Sequence, residues 1–379
     1  MKLLEGFLVL DFSQFLSGPS ASLRLADLGA RVIKIERPII GDICRSLYVS
    51  ETEFEGESTI FHAINRNKES FQADIKNLSD LNRIKKLITR ADILIHNFRP
   101  GVMDRLGLSY EVVKEINPRL VYASISGYGD LGEWKGNPGQ DLLLQAISGI
   151  TYLSGDDTEF PIPMGVAVGD ILAGTQLVQG ILAAVFEMLN SGNGSNVKIS
   201  MLESLLDFQF ELLTSFYNDG KELPVKSKVN NAHAYIAAPY GIYKTSDGYI
   251  SISMASIPVL SELLECTSLT IYYDPKTWFS NRDEIKTIIK DRIITKTTKE
   301  WLKNFEAHDI WCSEVLDFEM LINHDGYKDI QMEQEIIKNA KKLRTTRCPI
   351  QVDGEILLSN IGAPHLGEHN STISAEFDL

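Results

Sequence analysis

The sequence predicts an α/β protein: a large domain on a doubly wound, Rossmann-like parallel sheet, with a second, smaller α+β domain. Three observations lead there. Short β-rich runs alternate with helical stretches through roughly the first 200 residues, the pattern of strand–helix–strand units. The chain has 379 residues, 44% of them hydrophobic, which is enough for two cores. A charged stretch containing Pro224 then interrupts the alternation, and hairpin and helix signals follow it. The expected division is 1–218 with 331–379 in the large domain and 226–330 in the small one, with linkers near 219–225 and 331–345.

Residues 7–12 (F-L-V-L-D-F) read as a buried strand, 21–28 as a helix ended by Gly29, and Arg31–Glu36 as the next strand. Residues 79–89 are helical, with Ser79 as the cap and Leu81, Ile84, Leu87 and Ile88 along one face. A strand at 92–98, a helix at 109–116 and a strand at 120–126 continue the series. Residues 171–189 form a helix apolar on most faces, expected in the interior. Gln176, Gln179 and Glu187 make it too polar for a membrane span. In the smaller domain, 240–253 is a hairpin turning at Asp247-Gly248, and Thr298–Glu306 and Phe318–Asn323 are helices. From about Asn339 the chain is extended again.

Composition narrows the partners. A net charge of -14 argues against nucleic acid or an anionic membrane. Cys44, Cys266, Cys312 and Cys348 form no C-x-x-C pair, so neither a disulfide framework nor a zinc site is expected. His365 and His369 have helical ligand spacing, but Pro364 and Gly367 argue against a helix there, so no metal is expected. Glu5 sits where a signal peptide needs its apolar core, so the expected location is cytoplasmic.

Asp170 is the best nucleophile candidate. It lies in M-G-V-A-V-G-D-I-L-A-G, where a small-residue run meets a long helix, and a helix N-terminus favours negative charge. Its structural alternative is a simple helix cap. Basic residues concentrate near the expected strand ends: Lys34, Arg37, Arg45, Arg66, Lys68, Lys76, Arg99 and Arg105. In an acidic chain they suggest an anionic ligand in the sheet's crevice, or else solvated surface charge. Glu36, at the end of the second strand, invites a dinucleotide reading in which it holds a ribose. The turn S-Q-F-L-S-G-P-S-A-S lacks the glycine fingerprint, however, although Pro19 suits a first helical position.

Across nearly its whole length the chain resembles the family III CoA-transferases. This family includes formyl-CoA transferases, carnitine CoA-transferases and alpha-methylacyl-CoA racemases. The resemblance rests on L-V-L-D-F-S-Q-F-L-S-G-P, L-G-A-R-V-I-K-I-E-R-P with a following G-D, and N-R-N-K-E-S-F-Q-A-D-I-K. It continues through A-D-I-L-I-H-N-F-R-P-G-V-M-D-R-L-G, I-N-P-R-L-V-Y-A-S-I-S-G-Y-G, P-G-Q-D-L, the G-D at 169–170, S-G-N-G-S-N-V-K-I-S-M and A-P-H-L-G-E-H. It implies a catalytic aspartate at Asp170. It implies coenzyme A contacts at Leu16 and Ser17, Arg37, Ala73, Asp74, Ile75 and Lys76, Asn97, Phe98 and Arg99, Arg105, and Pro138, Gly139, Gln140 and Asp141. No cofactor is implied as permanently bound. Coenzyme A or acyl-CoA is the substrate, a small carboxylic acid the acceptor, and the assembly an interlocked ring homodimer.

The implied activity moves CoA from an acyl-CoA to an acid through an aspartyl anhydride and an aspartyl-CoA thioester. The alternatives are an acyl-CoA racemase of the same family and a non-catalytic CoA-binding protein. Racemases of the family carry histidine in a G-H-D context where this chain has Gln140, and glutamine exchanges no proton at neutral pH. The formyl-transferring members have a glycine-rich loop where this chain has N-N-A-H-A-Y-I-A-A-P, which argues against oxalate or formate.

Overall fold

The computed structural model of the chain describes residues 2–49 and 51–379. Six strands build one sheet: β1 (Leu8–Asp11), β2 (Arg31–Glu36), β3 (Glu69–Gln72), β4 (Ile93–His96), β5 (Val121–Ser126) and β6 (Asn196–Ser200). Their spatial order is β3-β2-β1-β4-β5-β6, and every neighbouring pair is parallel. The order reverses between β1 and β4. In doubly wound sheets the crevice at that reversal, beyond the carboxyl ends of the strands, is where ligands bind. β3 had no counterpart among the expected strands, because E-S-F-Q is too short to show a period.

Side chains alternate across the sheet. Leu8, Leu10, Ile33, Ile35, Phe71 and Leu94 meet Ile84, Leu87 and Ile88 of helix α2 (Leu78–Ile88) and Val113 of α3 (Tyr110–Ile116) in one core. The other face is covered by α1 (Ser17–Asp27) and by the 24-residue α5 (Val168–Ser191), which lie against each other; α4 (Asp141–Ser148) precedes α5 in the chain. α2 is capped by Asn77 rather than Ser79. The Asn77 side chain accepts from the N–H groups of Ser79 and Asp80, a residue type and spacing suited to that turn.

α5 departs from expectation. Only one face is buried, through Ala173, Gly174, Leu177, Ile181, Val185 and Met188, while Ile171, Phe186 and Leu189 are exposed. The 3.6-residue period selects a single buried stripe even where apolar residues ring the helix. Among the described residues it is the one helix long and apolar enough to cross a membrane, by length and composition alone.

Contacts divide the chain into two units. The first comprises Met1–Leu144, Ala167–Phe208 and Asp329–Leu379, the second Gln145–Val166 and Gln209–Lys328. The second unit therefore begins earlier in the chain than the charged stretch near 219–225. Residues 145–166 belong to it because Asn231 ties them down: its N–H donates to Asp156 Oδ1 at 2.8 Å and its Nδ2 to the Gly155 carbonyl at 3.0 Å. This unit carries an antiparallel sheet of β7 (Gly241–Lys244), β8 (Tyr249–Ile252) and β9 (Cys312–Glu314), ordered β9-β8-β7. Its core gathers Tyr243, Ile250, Ile285, Ile289, Trp301 and Phe305.

Candidate active site

Asp170 sits in the first turn of α5 but does not cap it. The helix begins at Val168, and its free N–H groups are satisfied from α4, by Asp141. Asp141 Oδ1 accepts from the Gly169 N–H at 2.6 Å and from the Asp170 N–H at 3.3 Å. The Asp170 carboxylate is thereby left for other work. Burial, and then the like charge of Asp141, push its carboxyl up from 3.8 to about 6. The hydroxyl and backbone N–H of Ser17, beside it, favour its charge and pull the other way. The result is a half-buried carboxylate more basic than usual, still ionised at neutral pH, and supplied with two donors.

Ser17 reaches Asp170 because α1 starts earlier than expected, with Ser17 as its first helical residue, Leu16 at the cap and Pro19 in the third position. α1 and α5 approach closely here. A Cβ on Gly174 would lie 2.2 Å from Ser20 Oγ and 2.7 Å from the Ser17 carbonyl. Asn97, just beyond β4, completes the arrangement. Its Oδ1 accepts from the Gln14 N–H at 2.9 Å, and its Nδ2 donates to the Gln14 carbonyl at 2.7 Å and to Ser17 Oγ at 3.3 Å. Asn97 thus holds Ser17, whose hydroxyl and N–H stand beside Asp170, at the point where the strand order reverses.

The eight basic residues split into two groups. Lys34, Arg45, Arg66 and Lys68 are buried and fully engaged. Lys34 pairs with Asp42 at 2.8 Å, Lys68 with Asp11 at 3.1 Å, Arg45 with Glu36 at 2.7 Å and Arg66 with Asp27 at 2.9 Å. They brace the scaffold, so the expectation that all eight face a ligand is corrected. Glu36 is corrected with them: its oxygens accept from Arg45, from Ser70 Oγ and from the Asp42 N–H, leaving nothing for a ribose. Burial penalises the Asp11 charge, but Lys68 and Lys34 beside it hold the carboxyl far below the usual range. Burial outweighs the pull of Asp11 on Lys68 itself and brings that ammonium down to about 8.

The other group is Arg37, Lys76, Arg99 and Arg105. All four are exposed, and among the described residues their side chains have no ion-pair or hydrogen-bond partner. Arg37 follows β2, Lys76 follows β3, and Arg99 follows β4 with Arg105 a few residues on. They rim the same carboxyl edge from which Ser17 reaches Asp170. The remaining expected contacts lie on that edge too, in varied states. Ala73 is buried, its N–H donating to the Glu36 carbonyl at 2.9 Å, and Ile75 and Phe98 pack against the core below. Asp74 closes a turn, its Oδ1 accepting from the Lys76 N–H at 3.1 Å. Pro138, Gly139 and Gln140 are exposed in the segment between β5 and α4. Beyond β4, β5 and β6 a cavity of about 630 Å³ shares Phe98 and Arg99 with this set, and His96, Tyr110, Tyr122 and Lys198 are among its other walls.

Sequence reasoning singled out Asp170 and, through the resemblance, Arg37, Lys76, Arg99 and Arg105. It did not find that Asp141 caps α5, because that cap comes from another helix and leaves no local motif.

A doubly wound α/β sheet with a basic carboxylate near its reversal point and unpaired cations on its carboxyl edge is the class of scaffold whose crevice suits an anionic ligand. The comparison with known proteins identifies which one: residues 4–370 match CoA-transferase family III, and the chain belongs to that family. It is a CoA-transferase. Human succinyl-CoA:glutarate CoA-transferase is 32% identical over 317 residues, covering 82% of this chain and 71% of the human one. Acetyl-CoA:oxalate CoA-transferase of Acetobacter aceti is 30% identical over 383 residues, covering 98% and 95%. Among solved structures, a CAIB/BAIF family protein from Brucella suis superposes with a TM-score of 0.84 at 28% identity, covering 99% of each chain.

Proposed function

We propose that the chain transfers coenzyme A from an acyl-CoA thioester to a small carboxylic acid, with a dicarboxylate as acceptor, through covalent acylation of Asp170. The observation that carries this is the Asp170 environment: a carboxyl raised to about 6, its helix N-terminus already capped by Asp141, facing the two donors of Ser17. A carboxylate used only as a cap would accept the α5 N–H groups itself. The acids named for the two relatives support the acceptor class.

In the proposed cycle an Asp170 oxygen attacks the thioester carbonyl. The C–S bond breaks, giving a mixed anhydride and CoA thiolate. The thiolate attacks the aspartyl carbonyl and the anhydride C–O bond breaks. The donor acid leaves as carboxylate and aspartyl-CoA thioester remains. The acceptor carboxylate attacks that thioester and expels thiolate, which attacks the acceptor's own carbonyl, releasing the new acyl-CoA and restoring Asp170. Each step exchanges one activated acyl bond for another, so no ATP enters. Ser17 holds the attacking carboxylate in one orientation, and its donors face the charge that develops there. Arg37, Lys76, Arg99 and Arg105 bind the phosphates of CoA, which enters as substrate with no other cofactor. The exposed apolar residues of α5 support a homodimer, with this face covered by a second copy.

Incubation with acyl-CoA donors and a panel of acids that includes succinate and glutarate, read by mass spectrometry, is expected to show new acyl-CoA species. Asp170→Asn is expected to show none. Transfer that persists in that variant overturns the assignment. Proton exchange at the α-carbon in heavy water without an acceptor would mark a racemase instead.

A further inference from the structure

The loop that brings Ser17 to Asp170 rests on charges buried beneath it. Lys34 and Asp42 are 0% and 1% exposed. Besides their 2.8 Å ion pair, each holds one residue of the loop. Lys34 Nζ donates to the Ser13 carbonyl at 2.8 Å, and Asp42 Oδ1 accepts from the Phe15 N–H at 3.1 Å. Asp11 Oδ1 takes the Ser13 N–H at 2.9 Å, and Asn97 grips both backbone groups of Gln14.

Phe15 shows why so many clamps are needed. Its φ is +64°, a left-handed conformation that a phenylalanine rarely adopts. Its side chain is 42% exposed, so packing does not impose that conformation. The backbone hydrogen bonds do. One turn further on, a Cβ at Gly18 would lie 2.2 Å from Ser13 Cβ, so the loop folds back tightly on itself before α1 begins.

The geometry points to Lys34 and Asp42 as positioning residues for the nucleophile: the pair locks residues 13–17 in the left-handed turn that presents both Ser17 donors to Asp170. This rests on the reading of Asp170 as the acylated group. Neither residue touches substrate, and both act through the backbone they hold. If the clamp is released, Phe15 relaxes to negative φ and the start of α1 rotates. Ser17 then leaves Asp170 facing only the like charge of Asp141. The grip of the exposed rim cations on acyl-CoA stays as it was, so the loss falls on kcat more than on KM even though Leu16 and Ser17, two expected CoA contacts, move with the loop.

The test compares Asp42→Ala with Asp42→Ala/Phe15→Gly, because glycine adopts the left-handed turn without a clamp. With folding checked by thermal melts, Asp42→Ala is expected to lose at least about tenfold in kcat, with the KM for acyl-CoA within about threefold. The acid limb of its pH–rate profile should move upward, since Asp170 loses donors that favour its charge. The added Phe15→Gly is expected to recover most of the lost kcat, which a purely structural role for Asp42 does not predict. Should Asp42→Ala not fold, Lys34→Met/Asp42→Asn removes both charges while keeping an acceptor for the Phe15 N–H, and it should show the same kcat loss through the freed Ser13 carbonyl. An unchanged kcat in a folded variant, equal losses in kcat and binding, or no recovery with glycine each overturn the proposal. Borohydride trapping of the wild type separates the two readings. No adduct at Asp170 sinks the proposed function, whereas a trapped adduct beside an unimpaired variant sinks only the positioning role.

Discussion

Holding Asp170 charged costs the fold stability, and the structure sets the size of that cost. Its carboxyl rises from 3.8 to about 6 through burial first and the Asp141 charge second, equivalent to roughly 3 kcal/mol between the two protonation states. The sign follows from where the proton sits. Below pH 3.8 the group is protonated in both the folded and the unfolded chain, and there is no penalty. Between 3.8 and about 6 the unfolded chain releases the proton while the folded chain keeps it, so stability falls as pH rises. Above that window the loss is complete. Asp170→Asn removes the charge and keeps an oxygen for the Ser17 donors. At pH 7.5 it is therefore expected to be more stable than the wild type by up to about 3 kcal/mol, seen as a Tm higher by several degrees. Near pH 4 the two should melt together. The assay is a scanning-fluorimetry series across that range. An Asp170→Asn protein that melts at or below the wild type at pH 7.5, or whose advantage is the same at both ends of the series, would refute the reasoning.

With Asp170 as the proposed acylated group, kcat/KM for acyl-CoA should rise with an acid limb near 6 and level above it. Asp141→Asn keeps the acceptor that caps α5 and removes the like charge, so stopped-time assays across pH should find its limb displaced to lower pH. Arg37→Ala and Arg105→Ala, which remove unpaired surface cations, should raise KM for acyl-CoA several-fold and flatten its salt dependence while kcat holds. Arg45→Met strands the buried Glu36 without its partner and should destabilise the protein by about 3–5 kcal/mol in denaturant titration. Gly174→Ala forces α1 away from α5 by placing a methyl 2.2 Å from Ser20 Oγ, and should cut kcat more than it changes acyl-CoA affinity.

The central strands of the sheet were legible because they are buried on both faces. V-I-K-I and I-L-I therefore read as nearly unbroken apolar runs. β3 was not, since its four residues carry Glu69 and Ser70 as partners for charges elsewhere, Glu69 for Arg31 and Ser70 for Glu36. At the site, Asp170 was legible as an acid near a helix start. Its chemistry was not, because the residues that shape it, Ser17 and Asp141, come from α1 and α4.

The basic residues show most clearly where sequence stops and structure begins. A lysine inside a strand and an arginine just past one look alike in the sequence, yet their fates differ for one reason. Lys34 lies within β2, in a sheet covered on both faces, so water cannot reach its ammonium and buried carboxylates, Asp42 and Asp11 foremost, balance it. Arg37 and Arg99 lie just beyond the strand ends, where the backbone leaves the sheet and side chains regain solvent. Burial thus sorts the charges into those that brace the scaffold and those left exposed to solvent. The boundary between the two is the carboxyl edge of the sheet, which is also where Ser17 meets Asp170. Fixed charges hold the loop that carries Ser17 from below, while unpaired charges stand exposed to solvent above.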